Sequence, residues 1–324
     1  MAQTLKLAAL CITAVALSAA CQAAQAQAWP TKPIRLVVPY AAGGPGDVIA
    51  RLVARKTGEG LHQTIIIDNK GGAGGTIGVD AALKSLPDGY TFALTAQGPL
   101  AGMPNLMKVP YALADVQYLT LVARGPAVIV VGKKIAANNL ADFIKLAKST
   151  PGKINYGSAG AGTTPHIGAE LLKQETGIDI THVPYKGAAP AVTALIGGEI
   201  EMAMVDLLNV LPHLASGTLK VLAVASPSRA PQLPDVPTTK EAGYPGVVMD
   251  TTYGVIAAPG VPAEVQKKFR EALVAAVLSA DVKDQLLKQG VIAVTSTPQE
   301  YKAMMQAEFD KWHRVITKGK ITID

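Results

Sequence analysis

Ile34-Arg35-Leu36-Val37-Val38-Pro39-Tyr40-Ala41-Ala42-Gly43-Gly44-Pro45-Gly46-Asp47 decides the fold. Five strand-forming residues run into a glycine-rich loop, and a helical pattern follows over residues 47–58. The arrangement returns at Lys153-Ile154-Asn155-Tyr156-Gly157-Ser158, which runs into Ala159-Gly160-Ala161-Gly162-Thr163-Thr164-Pro165 and a helical pattern over 165–176. Each copy reads as strand, glycine-rich loop and helix start. Such a loop offers free main-chain N–H groups and the positive end of a helix dipole, a combination that suits an anion. Two copies in one chain imply two lobes that hold one anionic ligand between them.

The doubling continues beyond the opening loops. After the first helix come a strand at 64–68, the loop Gly71-Gly72-Ala73-Gly74-Gly75, a helix at 76–85 and a strand at 90–94. After the second come a strand at 178–183, Lys186-Gly187-Ala188-Ala189, a helix at 190–196 and a strand at 200–205. Strands alternating with helices give an α/β fold with mostly parallel sheets flanked by helices. Right-handed crossovers put the strand-to-helix loops at one edge of each sheet, where open α/β sheets bind ligands. Residues 120–130 and 251–257 read as two crossings between lobes, and the Pro- and Gly-punctuated stretch 226–246 as loop. Three helices follow, at 262–279, 280–289 and 298–317, and are expected to pack on the first lobe. Pro262 and Pro298 stand where helix starts tolerate proline. The expected partition is a signal segment at 1–28, one lobe from 29–124 plus 251–324, and the other from 125–250.

The first 28 residues carry one lysine, Lys6, an apolar run from residue 7 to 20 and no acidic residue, and they end Ala26-Gln27-Ala28. This is the pattern of a cleaved export signal, with cleavage before Trp29; the run is short for a membrane span. Cys21, with Ser18 three residues before it, leaves a lipoprotein as the other reading. Both cysteines, Cys11 and Cys21, lie in this segment. The exported chain would then have no disulfide, thiol nucleophile or Cys-ligated metal. With 49% hydrophobic residues a substantial core can form. The pI of about 9.1 arises from scattered lysines and arginines with 5% aromatics, which argues against a nucleic-acid partner.

Enzyme motifs are missing. There is no Cys-x-x-Cys, His-Glu-x-x-His or Walker loop. Gly44-Pro45-Gly46 opens like a dinucleotide fingerprint, but Ile49 stands at the third glycine. Tyr156 stands where a nucleophile elbow needs glycine. Spacing alone leaves open a hydrolase using Ser158, His166 and Asp206. No histidine pair has metal-ligand spacing, and neither metal nor cofactor is expected. A binding apparatus remains. Tyr40, Ala41, Ala42, Gly43 and Gly44 can turn amides toward a carboxylate. Ser158, Ala159, Gly160, Thr163 and Thr164 form the opposing loop, Thr164 being also a natural helix cap. Asp206, at a strand end, either accepts from a ligand or caps a helix. Gln97 holds the matching place in the first copy and is the candidate specificity residue. Tyr185 either lines the cleft or packs.

The residues also carry a family resemblance. Residues 29–44, from Trp29-Pro30-Thr31-Lys32-Pro33 to Gly44, resemble the mature N-terminus of the Bug family, the receptors of tripartite tricarboxylate transporters. So do Ile67-Asp68-Asn69-Lys70-Gly71-Gly72, Pro87-Asp88-Gly89-Tyr90-Thr91, residues 155–166, His182-Val183-Pro184-Tyr185-Lys186-Gly187 and Leu233-Pro234-Asp235-Val236-Pro237-Thr238. The resemblance spans the chain after residue 28. It implies a two-lobed type II periplasmic-binding-protein fold with two crossover strands as hinge. It implies a small carboxylate as ligand: a di- or tricarboxylate, an acidic amino acid or an aromatic acid. The ligand would be held by the loops at 40–44 and 158–164, with Asp206 toward its far end. The implied partners are two integral membrane permease subunits, reached by a monomeric periplasmic receptor without catalysis. A role beside a sensor stays open. The chain departs from the family at Thr95-Ala96-Gln97-Gly98-Pro99, where small hydroxyl residues are usual.

Overall fold

The structure is a computed structural model that describes residues 29–322; the predicted signal segment lies outside the described residues. The first half opens with β1 (Ile34–Val38), α1 (Pro45–Leu61), β2 (Ile65–Asn69), α2 (Thr76–Leu83) and β3 (Thr91–Ala96). β2 and β3 pair in parallel on either side of β1. The second half repeats the unit with β5 (Asn155–Ser158), α5 (Thr164–Thr176), β6 (Thr181–Pro184), α6 (Ala188–Gly197) and β7 (Met202–Asp206). Here β6 and β7 flank β5 in parallel. The doubling read from the sequence is therefore a doubling of topology. Between the units lie α3 (Met103–Leu106), β4 (Gln117–Gly132) and α4 (Leu140–Ser149), and α7 (Leu211–Leu214) and β8 (Leu219–Val224) follow β7. α4 and β8 were not among the elements read from the sequence.

Two strands serve both halves. β4 pairs with β9 (Asp250–Ala257) along its first part, from Gln117↔Ala257 to Pro126↔Asp250. Its second part pairs with β7 and β8, from Ala127↔Asp206 to Val131↔Met202 and from Val128↔Val224 to Gly132↔Leu219. β9 also pairs antiparallel with β3. The strand orders are thus β2-β1-β3-β9-β4 and β6-β5-β7-β4-β8, in one continuous sheet. In each order the inserted strand runs against the other four. Register shifts in β4 near Tyr118, Leu121 and Ile129 supply the extra twist that carries a strand from one sheet into another.

Helix faces follow the apolar spacing. α1 buries Ile49, Ala50, Val53, Ala54 and Leu61 on one stripe. It begins at Pro45 and ends with His62 in the left-handed region. α8 (Ala263–Leu278) and α9 (Ala280–Lys288) bury Phe269, Leu273, Val277, Val282 and Leu286 against the same core. Phe269 stacks on Phe92 with centroids 3.8 Å apart. The short β10 (Ile292–Ala293) then adds to β4. The last helix, α10 (Pro298–Gly319), opens with a capping box between Thr297 and Glu300. It differs from the expectation that it packs on the first lobe. Tyr301 and Met305 enter a core of the first half, whereas Trp312, Val315 and Ile316 enter the core of the second. An apolar stripe from Tyr301 to Ile316, about four turns, is long enough to span both. Gly102, which lacks a Cβ, lets the first half approach closely: a side chain there would meet Gly162 O at 2.4 Å and the Trp312 ring at 2.3 Å.

Trp312→Ala is expected to cost about 3–5 kcal/mol in urea unfolding, the usual range for removing a buried large aromatic; a loss under about 1 kcal/mol would place the ring outside the core.

Candidate functional site

The first loop is tied down from within. Gly43 adopts a φ of 80°, and its N–H donates to Asp47 Oδ2 at 2.9 Å. Asp47 is buried in the first turn of α1 and also accepts from Arg51 Nε at 3.0 Å and Asn69 Nδ2 at 3.1 Å. With Gly43 turned inward, the amides of Ala41, Ala42 and Gly46 find no acceptor in the protein among the described residues. Tyr40 Oη accepts from the Ala96 amide at 3.2 Å. Burial pushes its phenol up to about 12, so it stays neutral.

The second loop is built the same way with other groups. Ser158 is 0% exposed. Its Oγ accepts from the Gly160 amide at 3.1 Å and lies 2.7 Å from His182 Nε2. Thr163 holds the cap position of α5, and its hydroxyl donates to Gly160 O at 2.7 Å. Thr164 is the first helical residue, 1% exposed, and its Oγ1 has no partner in the protein. Thr164 is therefore not the cap that the sequence allowed for, and Thr163 holds that position without a side-chain cap.

These loops border a cavity with an empty volume of about 570 Å³, part of it open to solvent. Its walls are mainly Ala, Gly and Pro, with Tyr40, Thr163, Thr164, Thr251 and Tyr253 as the other neutral side chains. Three helices start at it: α1 at residues 44–46, α5 at 163–165 and α6 at 187–190. Each start carries roughly half a positive charge. No Lys or Arg lines the cavity among the described residues, although Lys186 lines the adjoining part of the cleft, so within the cavity itself the helix starts supply positive potential.

Among the described residues, Asp206 is the one ionisable carboxylate that lines the cavity. It ends β7, and its oxygens accept from Thr251 Oγ1 and Tyr253 Oη, each at 2.5 Å. Burial pushes its carboxyl up to about 6, against the lowering pull of those two donors. It makes no side-chain cap to the following turn. Its donors come from β9, so Asp206 ties the second half to the crossing strand.

Of the residues expected at the site, Tyr40, Ala41, Ala42, Gly44, Ala159, Thr163, Thr164 and Asp206 line the cavity. Gly43 shapes the loop behind it. Gly160 and Tyr185 line an adjoining part of the cleft instead. Gln97 does not face the ligand space: its Nε2 donates to Asp250 O at 2.8 Å and its Oε1 accepts from the Thr252 amide at 2.6 Å. Both ends of the side chain are used on β9, so it braces the crossing strand. Ser158 is likewise withdrawn beneath its loop. The hydrolase constellation does not assemble, because His166 Nδ1 accepts from the Gly162 amide at 3.1 Å and Asp206 faces Thr251 and Tyr253. Residues 187–190 and the β9 pair Thr251 and Tyr253 were missed. The loop Lys186-Gly187-Ala188-Ala189 was already matched to the first copy's second loop, and that was the available signal. Thr251 and Tyr253 share one face of a strand by period two.

Paired α/β sheets joined by two crossing strands, with a cleft at their carboxyl edges, define a periplasmic binding protein. The chain belongs to the tripartite tricarboxylate transporter family receptors, whose family profile matches residues 49–321. It is similar to the periplasmic binding protein BugD, at 31% identity and a TM-score of 0.86 over 91% of this chain and 99% of that one. It is similar to Rpa4515 of R. palustris, solved with adipate, at 33% identity and a TM-score of 0.87 over 91% and 99%. MatC of Rhodopseudomonas palustris, solved with bound malate, is 29% identical with a TM-score of 0.84 over 89% and 100%. The chain is thus a solute-binding protein of this receptor family. Among the described residues no helix is long and apolar enough to cross a membrane.

Gln97→Ala leaves the Thr252 amide and Asp250 carbonyl unpaired and is expected to cost about 1–3 kcal/mol of stability, while the order of preference among carboxylates stays as in the parent; a reordered preference would return Gln97 to the site. Asp206 contributes stability that is complete below about pH 3.8 and is lost as pH rises through about 6. Asp206→Asn should therefore shrink the parent's loss of stability between pH 4 and pH 8, and an unchanged pH profile of thermal unfolding would contradict the raised carboxyl.

Proposed function

We propose that this receptor works in the periplasm, exported by a signal at residues 1–28 that is removed before Trp29. It captures a small carboxylate between two lobes, residues 29–124 with 251–324 and residues 125–250, and presents it to two integral membrane permease subunits. It acts as a monomer and performs no chemistry on its ligand. The observation that carries this reading is the meeting of three helix starts at a cavity without a basic side chain. Such a cavity attracts an anion through main-chain amides, and a partly buried anion at one helix start gains about 0.3–2 kcal/mol from the dipole. The unpartnered Thr164 hydroxyl adds one donor. Adipate and malate in two relatives support a carboxylate of this size. Asp206 lies among those helix starts, and a ligand hydroxyl, ammonium or protonated carboxyl matches its acceptor character.

A thermal-shift screen over mono-, di- and tricarboxylates, acidic amino acids and aromatic acids is expected to return stabilisation without turnover; none from any of them would end the reading. Thr164→Val should weaken the best binder about 5- to 100-fold with little change in melting temperature of the free protein, and equal affinity would remove that hydroxyl from the site. A bound carboxylate near Asp206 should also raise that group further, so binding at pH 7 takes up protons, as calorimetry in buffers of differing ionisation enthalpy would register.

A further inference from the structure

Beneath the second loop lies an aromatic stack that the binding reading does not use. Tyr156, His182 and His166 succeed one another, with centroids 4.9 Å apart between the first two and 4.1 Å between the two imidazoles, at interplanar angles of 26° and 23°. Tyr156 Oη donates to Glu170 Oε1 at 2.7 Å, and Lys173 Nζ pairs with the same oxygen at 2.8 Å. The stack touches the loop at two alternate amides. Gly162 N–H donates to His166 Nδ1, and Gly160 N–H donates to Ser158 Oγ, which is held in turn against His182 Nε2.

We propose that His166 and His182 are positioning residues for ligand binding: as neutral acceptors, His166 directly and His182 through the Ser158 hydroxyl, they draw the Gly162 and Gly160 amides inward and so leave those of Ala159, Ala161 and Thr164 for the ligand. The alternation supplies the geometry. Gly160 and Gly162 are at φ 126° and 70°, backbone states in which glycine is at ease. Their amides are consumed below, while those of Ala159, Ala161 and Thr164 have no protein partner, and Ala159 and Thr164 line the cavity. A main-chain N–H can only donate, so His166 Nδ1 carries no proton and the neutral ring holds its proton on Nε2. The hydroxyl of Ser158 has two acceptors in reach, Gly160 O at 3.2 Å and His182 Nε2 at 2.7 Å, and on this proposal its proton goes to His182 Nε2, with the His182 ring proton on Nδ1. Burial holds both imidazoles far below their ordinary range, to about 4 for His166 and about 3 for His182, with Lys173 beside both, His166 beside His182, and Glu170 opposing at His182. Both rings are therefore available as acceptors at neutral pH. This inference rests on the reading that an anion lies against the loop.

The test uses the full chain and two arms. In the first, nitrogen chemical shifts of histidine-labelled protein without ligand report the ring protons, and amide exchange reports Gly162. The expected result is a bare Nδ1 on His166 and a protected Gly162 amide in the parent and in His166→Asn, whose Oδ1 takes the place of Nδ1, with protection lost in His166→Leu. In the second arm, calorimetry with adipate and with malate should show His166→Leu at least tenfold weaker and His166→Asn within threefold of the parent. A proton on His166 Nδ1, or a protected Gly162 in the Leu variant, overturns the proposal, as does equal ligand affinity in both variants. If neither probe binds the parent, the carboxylate reading falls for these probes, and the first arm still decides whether the histidines set the loop. If the Leu variant does not fold, the ring-proton measurement on the parent decides alone.

Discussion

A helix cannot pair its own first N–H groups, and three helices of this protein begin at one cavity. Most of the architecture can be traced to that constraint. The doubled strand–loop–helix unit puts every helix start at the carboxyl edge of its sheet. The crossing of β4 and β9 turns the two edges toward each other, so starts that would otherwise face bulk water face a shared space. Pro45 and Pro165 occupy first-turn positions where the missing N–H is no loss. The remaining amides are sorted: those of Gly43, Gly44, Gly160, Gly162 and Thr163 are consumed within the protein, and those of Ala41, Ala42, Gly46, Ala159, Ala161 and Thr164 are left over among the described residues.

The same strand that joins the halves also floors the cavity. β9 presents Thr251 and Tyr253 to Asp206 of the opposite half, while Gln97 grips the Asp250 carbonyl and Thr252 amide on either side of Thr251. Arg124 lies 3.6 Å from Asp250 at the same crossing. Brace, crossing strand and binding surface thus share consecutive residues, and a change in one is felt in the others. α10 spans both halves as well, through Tyr301 and Met305 at one end and Trp312 and Ile316 at the other. Relative movement of the halves has to be absorbed by these contacts as well as by the two strands.

Strand and helix order was legible because it rests on apolar period and glycine punctuation, both carried by local sequence. The loops at 40–44 and 158–164 were legible for the same reason. What escaped reading depends on direction. Gln97 and Ser158 sit at the expected places in the chain, yet their side chains point into the protein, and only tertiary hydrogen bonds record that. α4 and β8 lie outside the doubled unit, and their signals, an Asn139 cap with Leu140, Phe143, Ile144 and Ala147 at helical spacing and the largely apolar run Leu219–Val224, were present but not read. The straddling of α10 escaped because one apolar stripe looks alike whether it meets one core or two.

The proposed main-chain recognition would explain why the residues beside the cavity are so plain. An amide donor has no side-chain signature, so Ala41, Ala42, Ala159, Ala188 and Ala189 can do the work with nothing in their chemistry to announce it. Their small side chains matter by absence, since each leaves the approach to an amide open. The information then moves one layer back, to Asp47 behind the first loop and to the stacked His166 and His182 behind the second. These polar groups are costly to bury, and the loop amides that Asp47 and His166 accept directly, with the Ser158 hydroxyl held by His182, repay part of that cost. A loop that recognises through its backbone is only as specific as the side chains that fix that backbone, so the proposed reading puts the chemistry of selection beneath the loops as much as at the cavity wall.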